Sequence, residues 1–294
     1  MIITEKNIFA IMFQALPVFR KNLKYLLVIT LLAFVPVFVF RLFLPAQYAA
    51  AFAALMTAWG DAWLAGADGA ALTAIAASHA FDGAANYILM FYGIELVFFS
   101  LSTAAATYLA GKHLAEEDAA FGEMFNAVMP RFPKMVVTTL IAFAFIYVPL
   151  SFGNVLLMLL ALYFAVGMVF YQQVVTDLGN WGPRALTISR MMVRGRWFRV
   201  LFGASTLIIL YAAVYAAIGA VAVALGSQHN IFIALPMFLL QHFILSFFAV
   251  AFSVWYFDLK RVNKLRFEEI ERHFAENLKQ LERFGKKEDD ENND

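Results

Sequence analysis

Long apolar runs alternate with short basic segments along the 294 residues of this chain. An apolar run of about 20 residues is long enough for a helix that crosses the hydrocarbon core of a bilayer. Six runs approach or exceed this length, and they predict an all-α, polytopic membrane bundle of six transmembrane helices. We place the helices at residues 25–44, 87–111, 135–151, 153–175, 200–225 and 231–257.

The positive charges predict the direction of these crossings. Lys and Arg are absent from three long stretches, 42–111, 135–183 and 200–259. Each stretch is long enough for two spans and a turn, so one threading puts every Lys and Arg except Arg41 on the same side. Because basic residues resist translocation, that side is the cytoplasm. The pattern predicts three hairpins in a bacterial cytoplasmic (inner) membrane, with the N-terminus and the C-terminus both cytoplasmic.

The composition is typical of a membrane protein and excludes sites that depend on cysteine. The chain is 63% hydrophobic and 15% charged, whereas soluble domains are typically about 45–50% apolar and about 25% charged. Cysteine is absent, which excludes disulfides, thiolate metal sites and cysteine nucleophiles. Residues 25–44 exceed the usual apolar core of a signal peptide, so we expect an uncleaved first span. The small residues at 46–51 leave cleavage as the alternative.

Each span predicted to run outward follows an amphipathic stretch that ends in a basic and aromatic cluster. The three clusters are 17–21, 130–134 and 194–199. Apolar side chains there can enter the headgroup boundary while the cations stay near lipid phosphates. We interpret the clusters as three topology anchors. The alternative is three related units around a central site, as repeats build transporters.

Three polar residues are predicted to share one depth inside the membrane. Glu95, the one acidic residue within the predicted spans, lies eight residues past Tyr87, or about 12 Å at 1.5 Å per residue. Gln241 and His242 lie ten and eleven residues past Ile231, in a span that enters from the same side. Ionisable groups in lipid are costly, so we predict a polar cluster that binds a cation, a proton or a polar substrate group. The alternatives are a structural hydrogen bond or a Glu95 that stays hydrated.

An arginine-rich stretch covers residues 180–199, which hold five arginines and neither lysine nor acid. The guanidinium fork suits phosphate oxygens. We therefore predict contact with anionic lipid headgroups through Arg190, Arg194, Arg196 and Arg199. The alternative is that these residues only anchor the topology.

The sequence holds no recognisable catalytic or metal-binding motif. A phosphate-binding loop, a GxSxG elbow and an HExxH helix are all absent. The five histidines are scattered, so neither a metal site nor a cofactor is predicted. Glu95 stands alone among the acids at membrane depth, and Gln172 and Gln173 are expected near water at the cytoplasmic end of span four. We expect no enzyme, although residues distant in sequence can meet, and a membrane-embedded lipid-modifying enzyme stays an alternative.

The composition changes after residue 257, which divides a membrane domain (1–257) from a cytoplasmic tail (258–294). Residues 258–285 place apolar residues among alternating charges, which predicts an amphipathic helix. It could pack on the cytoplasmic face, bind a protein partner or pair with a second copy. Residues 286–294 are highly charged and predict disorder. A basic domain that could follow a nucleic acid is missing, so no nucleic-acid partner is expected.

Residues 170–200 resemble a bacterial superfamily of six-helix membrane proteins. It is typified by the membrane domain of some glycerophosphoryl diester phosphodiesterases. The similarity rests on Val-Val-Thr-Asp at 174–177, Ala-Leu at 185–186, Ser189 and the Arg-Gly-Arg-Trp entry at 194–197. A second similarity is the aromatic–Asp–Leu–basic exit of the last span at 255–261.

The resemblance implies the membrane module alone. A catalytic barrel needs some 200–250 residues, far more than the segment 258–294 provides, so no catalytic residue is carried over. We therefore expect an integral membrane protein that acts as a transport-like or scaffold component and contacts anionic lipid. The alternative is a secondary transporter or channel with an intramembrane site near Glu95.

Overall fold

The computed structural model of the chain describes residues 6–44, 46–67, 71, 74–75, 93–151, 155–227, 230–262 and 272. Regular structure in these residues is helical and contains no strand, which confirms the all-α prediction. A short 3₁₀ turn covers Met129–Arg131. The α-helices are α1 (Ile8–Lys21), α2 (Leu23–Phe43), α3 (Ala46–Leu64), α4 (Gly93–Leu114), α5 (Phe121–Val128), α6 (Phe132–Ser151), α7 (Val155–Gly167), α8 (Tyr171–Leu178), α9 (Pro183–Val193), α10 (Trp197–Ala224) and α11 (Ile231–Val262).

Six helical segments of the described part are long and apolar enough to cross a membrane, which confirms the predicted number. They indicate a multi-pass membrane protein. Single helices provide four of them: α2, α4, α10 and α11. The other two are composite, because α5 leads into α6 (Phe121–Pro149) and α7 continues into α8 (Val155–Leu178).

Helices α4 and α11 run parallel at the centre of the bundle. The hydroxyls of Thr107 and Ser253 share a hydrogen bond of 3.0 Å between them. Residues 104–106 of α4 are fully buried alanines, and small residues let helices approach closely. Helix α2 packs on the same pair and shares a 3.1 Å hydrogen bond between Thr30 and Ser246. Hydroxyl pairs between helices therefore fix the central packing.

A short helix precedes each of three spans: α1 before α2, α5 before α6, and α9 before α10. The basic clusters recognised in the sequence fall at these three junctions. Contacts join the junctions and the last turn of α11. The Lys6 backbone N–H donates to Asp258 Oδ2, and Lys21 forms an ion pair with Asp118 in the loop before α5. We call the end of the bundle with Lys21, Arg131 and Lys260 the basic end.

Span four, predicted at 153–175, is one of the six spans of the structure but consists of two helices with a break between them. Helix α7 ends at Gly167, and α8 begins at Tyr171. Ser189 of α9 fills the break, because its hydroxyl donates to the Gly167 carbonyl oxygen (2.9 Å) and accepts from the Phe170 N–H (3.1 Å). Buried backbone groups need partners, and one side chain from another helix supplies both.

Helix α11 continues past the predicted domain boundary at residue 257 and reaches Val262. Lys260 and Tyr256 both donate to Asp177 Oδ2 of α8, so the end of α11 is attached to span four. The predicted amphipathic helix over 258–285 lies outside the described residues after Val262, apart from Arg272.

Candidate intramembrane site

Glu95 and His242 meet between the two central helices. Glu95 lies in the first turn of α4, and its Oε1 is 2.9 Å from His242 Nε2 on α11. The His242 side chain is fully buried, and the Glu95 side chain is 15% exposed. The phenyl rings of Phe34 and Phe238 pack against the imidazole with centroid distances of 4.1 Å each. The ring is therefore held in one orientation by neighbours on two helices.

Both ring nitrogens of His242 have a hydrogen-bond partner. Its Nδ1 is 2.7 Å from the Phe238 carbonyl oxygen. A carbonyl oxygen only accepts hydrogen bonds, so Nδ1 is the donor and carries hydrogen. The other ring nitrogen, Nε2, faces the Glu95 carboxyl.

Gln241, predicted to share the cluster, faces another helix. Its Nε2 donates to the Tyr215 carbonyl oxygen of α10 at 3.1 Å. Gly219, one turn further along α10, makes room for the amide, since a Cβ there would lie 3.4 Å from Gln241 Nε2. The structure therefore brings Glu95 and His242 together and places Gln241 in the contact between α10 and α11.

An apolar cavity adjoins the pair. It has two lobes, each of about 450 Å³, which share a wall. The shared wall consists of Leu96, Phe99, Thr139, Phe143, Tyr211 and Leu245. The first lobe is the one that Glu95 lines, and the second lobe is the one that Gln172 and Gln173 line. His242 lines neither lobe. The Glu95 Oε2 is buried and has no hydrogen-bond partner among the described residues. One carboxyl oxygen thus holds the histidine while the other is unused.

The cavity extends to the outer surface of the bundle between α6 and α10. Phe143 of α6 and Ile208 of α10 both line it, and they are 37% and 57% exposed. The opening is thus a lateral one, on the side that would face lipid in a membrane.

The second lobe ends at a set of hydroxyl and amide side chains that we call the amide–hydroxyl cluster. Gln172 Nε2 donates to Ser100 Oγ (3.0 Å) and to the Tyr171 hydroxyl (3.1 Å), which donates to Thr139 Oγ1 (2.9 Å). The cluster consists of Ser100, Thr103, Thr139, Tyr171, Gln172 and Gln173. The side chains of all these residues but Tyr171 are fully buried or nearly so.

The amide–hydroxyl cluster corrects one sequence prediction. Gln172 and Gln173 were expected near water at the end of span four, but both are buried. The break after Gly167 starts a new helix, α8, which packs on α4 and α6 and turns both amides into the bundle. Sequence periodicity cannot reveal this, because the break depends on Ser189 from a later helix.

The four arginines predicted at lipid headgroups lie at or next to the junction of α9 and α10. Arg190 is exposed, donates to the Tyr163 hydroxyl (2.9 Å) and lies 5.1 Å from the centre of that ring. Arg199 donates to the Lys6 carbonyl oxygen. Arg194 is exposed and Arg196 is half-buried. Contact of these arginines with lipid stays a prediction.

The described residues contain no group of three or more His, Asp or Glu side chains that could hold a metal ion. The helices and the site define a multi-pass helical membrane protein with an internal apolar cavity. No protein-family model matches the chain, and no curated protein or solved structure matches it either.

Proposed function

We propose that this chain is a transport-like component of a bacterial inner membrane that takes a membrane-soluble amphiphile into the cavity between its helices. The basic end faces the cytoplasm in this proposal, because Lys and Arg concentrate there and resist translocation. Both termini are then cytoplasmic.

One observation carries the proposal: an apolar cavity has a polar group at each end. Each lobe, at about 450 Å³, falls in the range of about 300–1,000 Å³ that is usual for small-molecule sites. The walls suit a hydrocarbon chain, whereas Glu95 and the amide–hydroxyl cluster suit polar groups. The opening between α6 and α10 would let such a molecule enter from the bilayer.

Three features favour transport over a scaffold role. A scaffold needs a tightly packed bundle, whereas this one has a cavity between its helices. Broken helices that line a cavity are typical of transporters, and span four is broken next to this cavity. The Glu95–His242 pair places two ionisable side chains at membrane depth, where such groups are candidates for function.

The same pair favours a lipid-modifying enzyme as the second candidate, because His242 is a second ionisable group beside Glu95. Acid–base chemistry needs a group within reach of the substrate. His242 does not line the cavity, and its Nδ1 is already bonded to a backbone carbonyl. Of the two residues of the pair, Glu95 alone lines the cavity, so we favour binding and transfer over catalysis.

Contact with anionic headgroups is a separate part of the proposal. Residues Gly195–Arg199 line a surface hollow at the basic end. Arginine binds phosphate oxygens through two parallel hydrogen bonds. Lipid phosphates would therefore meet the basic end at the entry to α10.

A variant that fills the cavity tests the proposal. Ala165 lines the second lobe, so Ala165→Phe would occupy it, whereas Ala220→Phe adds the same bulk on an exposed position of α10. We expect mass spectrometry of organic extracts to find an amphiphile enriched with the wild type over the bulk membrane extract. It should be lost with Ala165→Phe and retained with Ala220→Phe. Extracts that are identical for all three proteins would refute the proposal.

A further inference from the structure

Two residues that line the second lobe each have a buried side-chain oxygen without a hydrogen-bond partner among the described residues. The two oxygens are Gln173 Oε1 and Thr103 Oγ1. Both residues line the lobe, and they are 3% and 2% exposed. The neighbouring Gln172, by contrast, uses its amide in two hydrogen bonds. Within the amide–hydroxyl cluster, Gln173 and Thr103 are thus the two residues with an unpaired side-chain oxygen.

An unpaired buried oxygen is costly, so its position beside a cavity points to a partner that comes from outside the chain. The Gln173 Oε1 can only accept, so that partner must donate a hydrogen bond. The Thr103 hydroxyl can donate or accept. A ligand hydroxyl has both capacities and so suits both residues.

The charge of the lobe restricts the ligand further. Its lining contains no Lys, Arg, Asp, Glu or His among the described residues. A phosphate, carboxylate or ammonium would therefore be buried there without an opposite charge, which is strongly unfavourable. An uncharged head group has no such penalty.

We propose that the amide–hydroxyl cluster binds the hydroxyl head of an uncharged lipid alcohol, whose hydrocarbon chain fills the apolar lobes. The inference rests on the proposed function and names its ligand class. A single-chain alcohol and a diacylglycerol share this chemistry. Gln173 accepts the hydrogen bond of the hydroxyl group, and Thr103 bonds to its oxygen.

Matched lipids with and without the donor test this assignment. Native mass spectrometry of the delipidated full chain would measure binding of 1-hexadecanol against hexadecyl methyl ether. A second arm would compare dioleoylglycerol with its 3-acetyl derivative. In whichever of the two comparisons the lipid fits the cavity better, we expect the free alcohol to bind about tenfold more tightly than its capped form. This difference corresponds to about one hydrogen bond. Hexadecanoate should bind more weakly than hexadecanol at pH 9, where it is ionised.

Two variants connect that preference to the cluster. Gln173→Leu and Thr103→Val remove the unpaired oxygens at nearly constant volume, so each should reduce the preference to about twofold while leaving the capped lipid unaffected. Their melting temperatures without ligand should not fall, since no internal hydrogen bond is lost. The control is Gln172→Leu, which breaks two internal bonds and should lower the melting temperature.

The outcomes separate the two proposals. Equal binding of the alcohol and its capped form by the wild type overturns the head-group assignment but leaves the cavity function standing. An unchanged preference in the variants also overturns it; Thr103→Val decides if Gln173→Leu does not fold. Failure to bind any of the lipids, together with extracts that show no enriched amphiphile, contradicts the proposed function itself.

Discussion

His242 has a hydrogen-bond partner at each ring nitrogen, and Glu95 provides the one at Nε2. Removing the carboxyl leaves Nε2 buried and unpaired, whereas an amide can replace it because its NH₂ group can donate to Nε2. Replacing Glu95 by alanine therefore removes both the hydrogen bond and the acid, whereas replacing it by glutamine removes only the acid.

We expect Glu95→Ala to lower the free energy of unfolding by about 1–3 kcal/mol, the usual cost of an unpaired buried polar group. Glu95→Gln should cost less, because it preserves a partner for Nε2. Thermal unfolding in detergent, followed by circular dichroism, would compare the two variants with the wild type. If both variants had the same melting temperature as the wild type, the Glu95–His242 pair would have no stabilising role.

The sequence could predict the depth of Glu95 and His242 but not which of two neighbours faces the carboxyl. Depth follows from counting residues at 1.5 Å each. Gln241 and His242 are adjacent, and adjacent residues of an α-helix point about 100° apart. Only the packing of α11 between α4 and α10 decides that His242 faces Glu95 while Gln241 faces Tyr215. The amide–hydroxyl cluster was missed for a similar reason, since its members come from three separate spans.

At the scale of single helices, the break in span four lies beside the cavity, because Ala165 and Tyr171 on its two sides both line the second lobe. The break depends on one hydroxyl, because Ser189 bonds to both backbone groups that the break leaves free. A local sequence pattern could indicate the apolar length of the span. It could not indicate the break, because Ser189, which stabilises it, lies 19 residues after Phe170 and 22 after Gly167, on α9.

Replacing that hydroxyl should destabilise the protein. Ser189→Ala leaves the Gly167 carbonyl and the Phe170 N–H without this partner, so we expect a loss of about 1–3 kcal/mol in the free energy of unfolding. Thr187→Ala on the same helix is the matched control, since that hydroxyl bonds only within α9. Thermal unfolding of both variants would measure the difference. Equal melting temperatures for the two would show that the break does not depend on Ser189.

At the scale of the whole molecule, the sequence predicted the number of spans because charge and apolar length are properties of local segments. The order in which the spans pack around α4 and α11 is not such a property. It follows from small side chains, hydroxyl pairs and the Glu95–His242 contact, which form only once the helices meet. The internal cavity is a result of that packing and could not be predicted from any segment alone.

A membrane-embedded cavity requires that the two ends of the bundle lie on opposite sides of the bilayer. The chain has no cysteine, so single cysteines can report on each position. Trp181 is exposed near the basic end, Asn230 is exposed at the other end, and Ile209 is exposed midway along α10. None of the three lines the cavity.

Labelling of the single-cysteine variants with a membrane-impermeant maleimide is the most direct test. In intact cells we expect Asn230→Cys to react and Trp181→Cys to react only after the membrane is opened. Ile209→Cys should react in neither case, because lipid surrounds it. Reaction of Trp181→Cys in intact cells, or ready reaction of Ile209→Cys, would show that the helices do not cross the bilayer in this way.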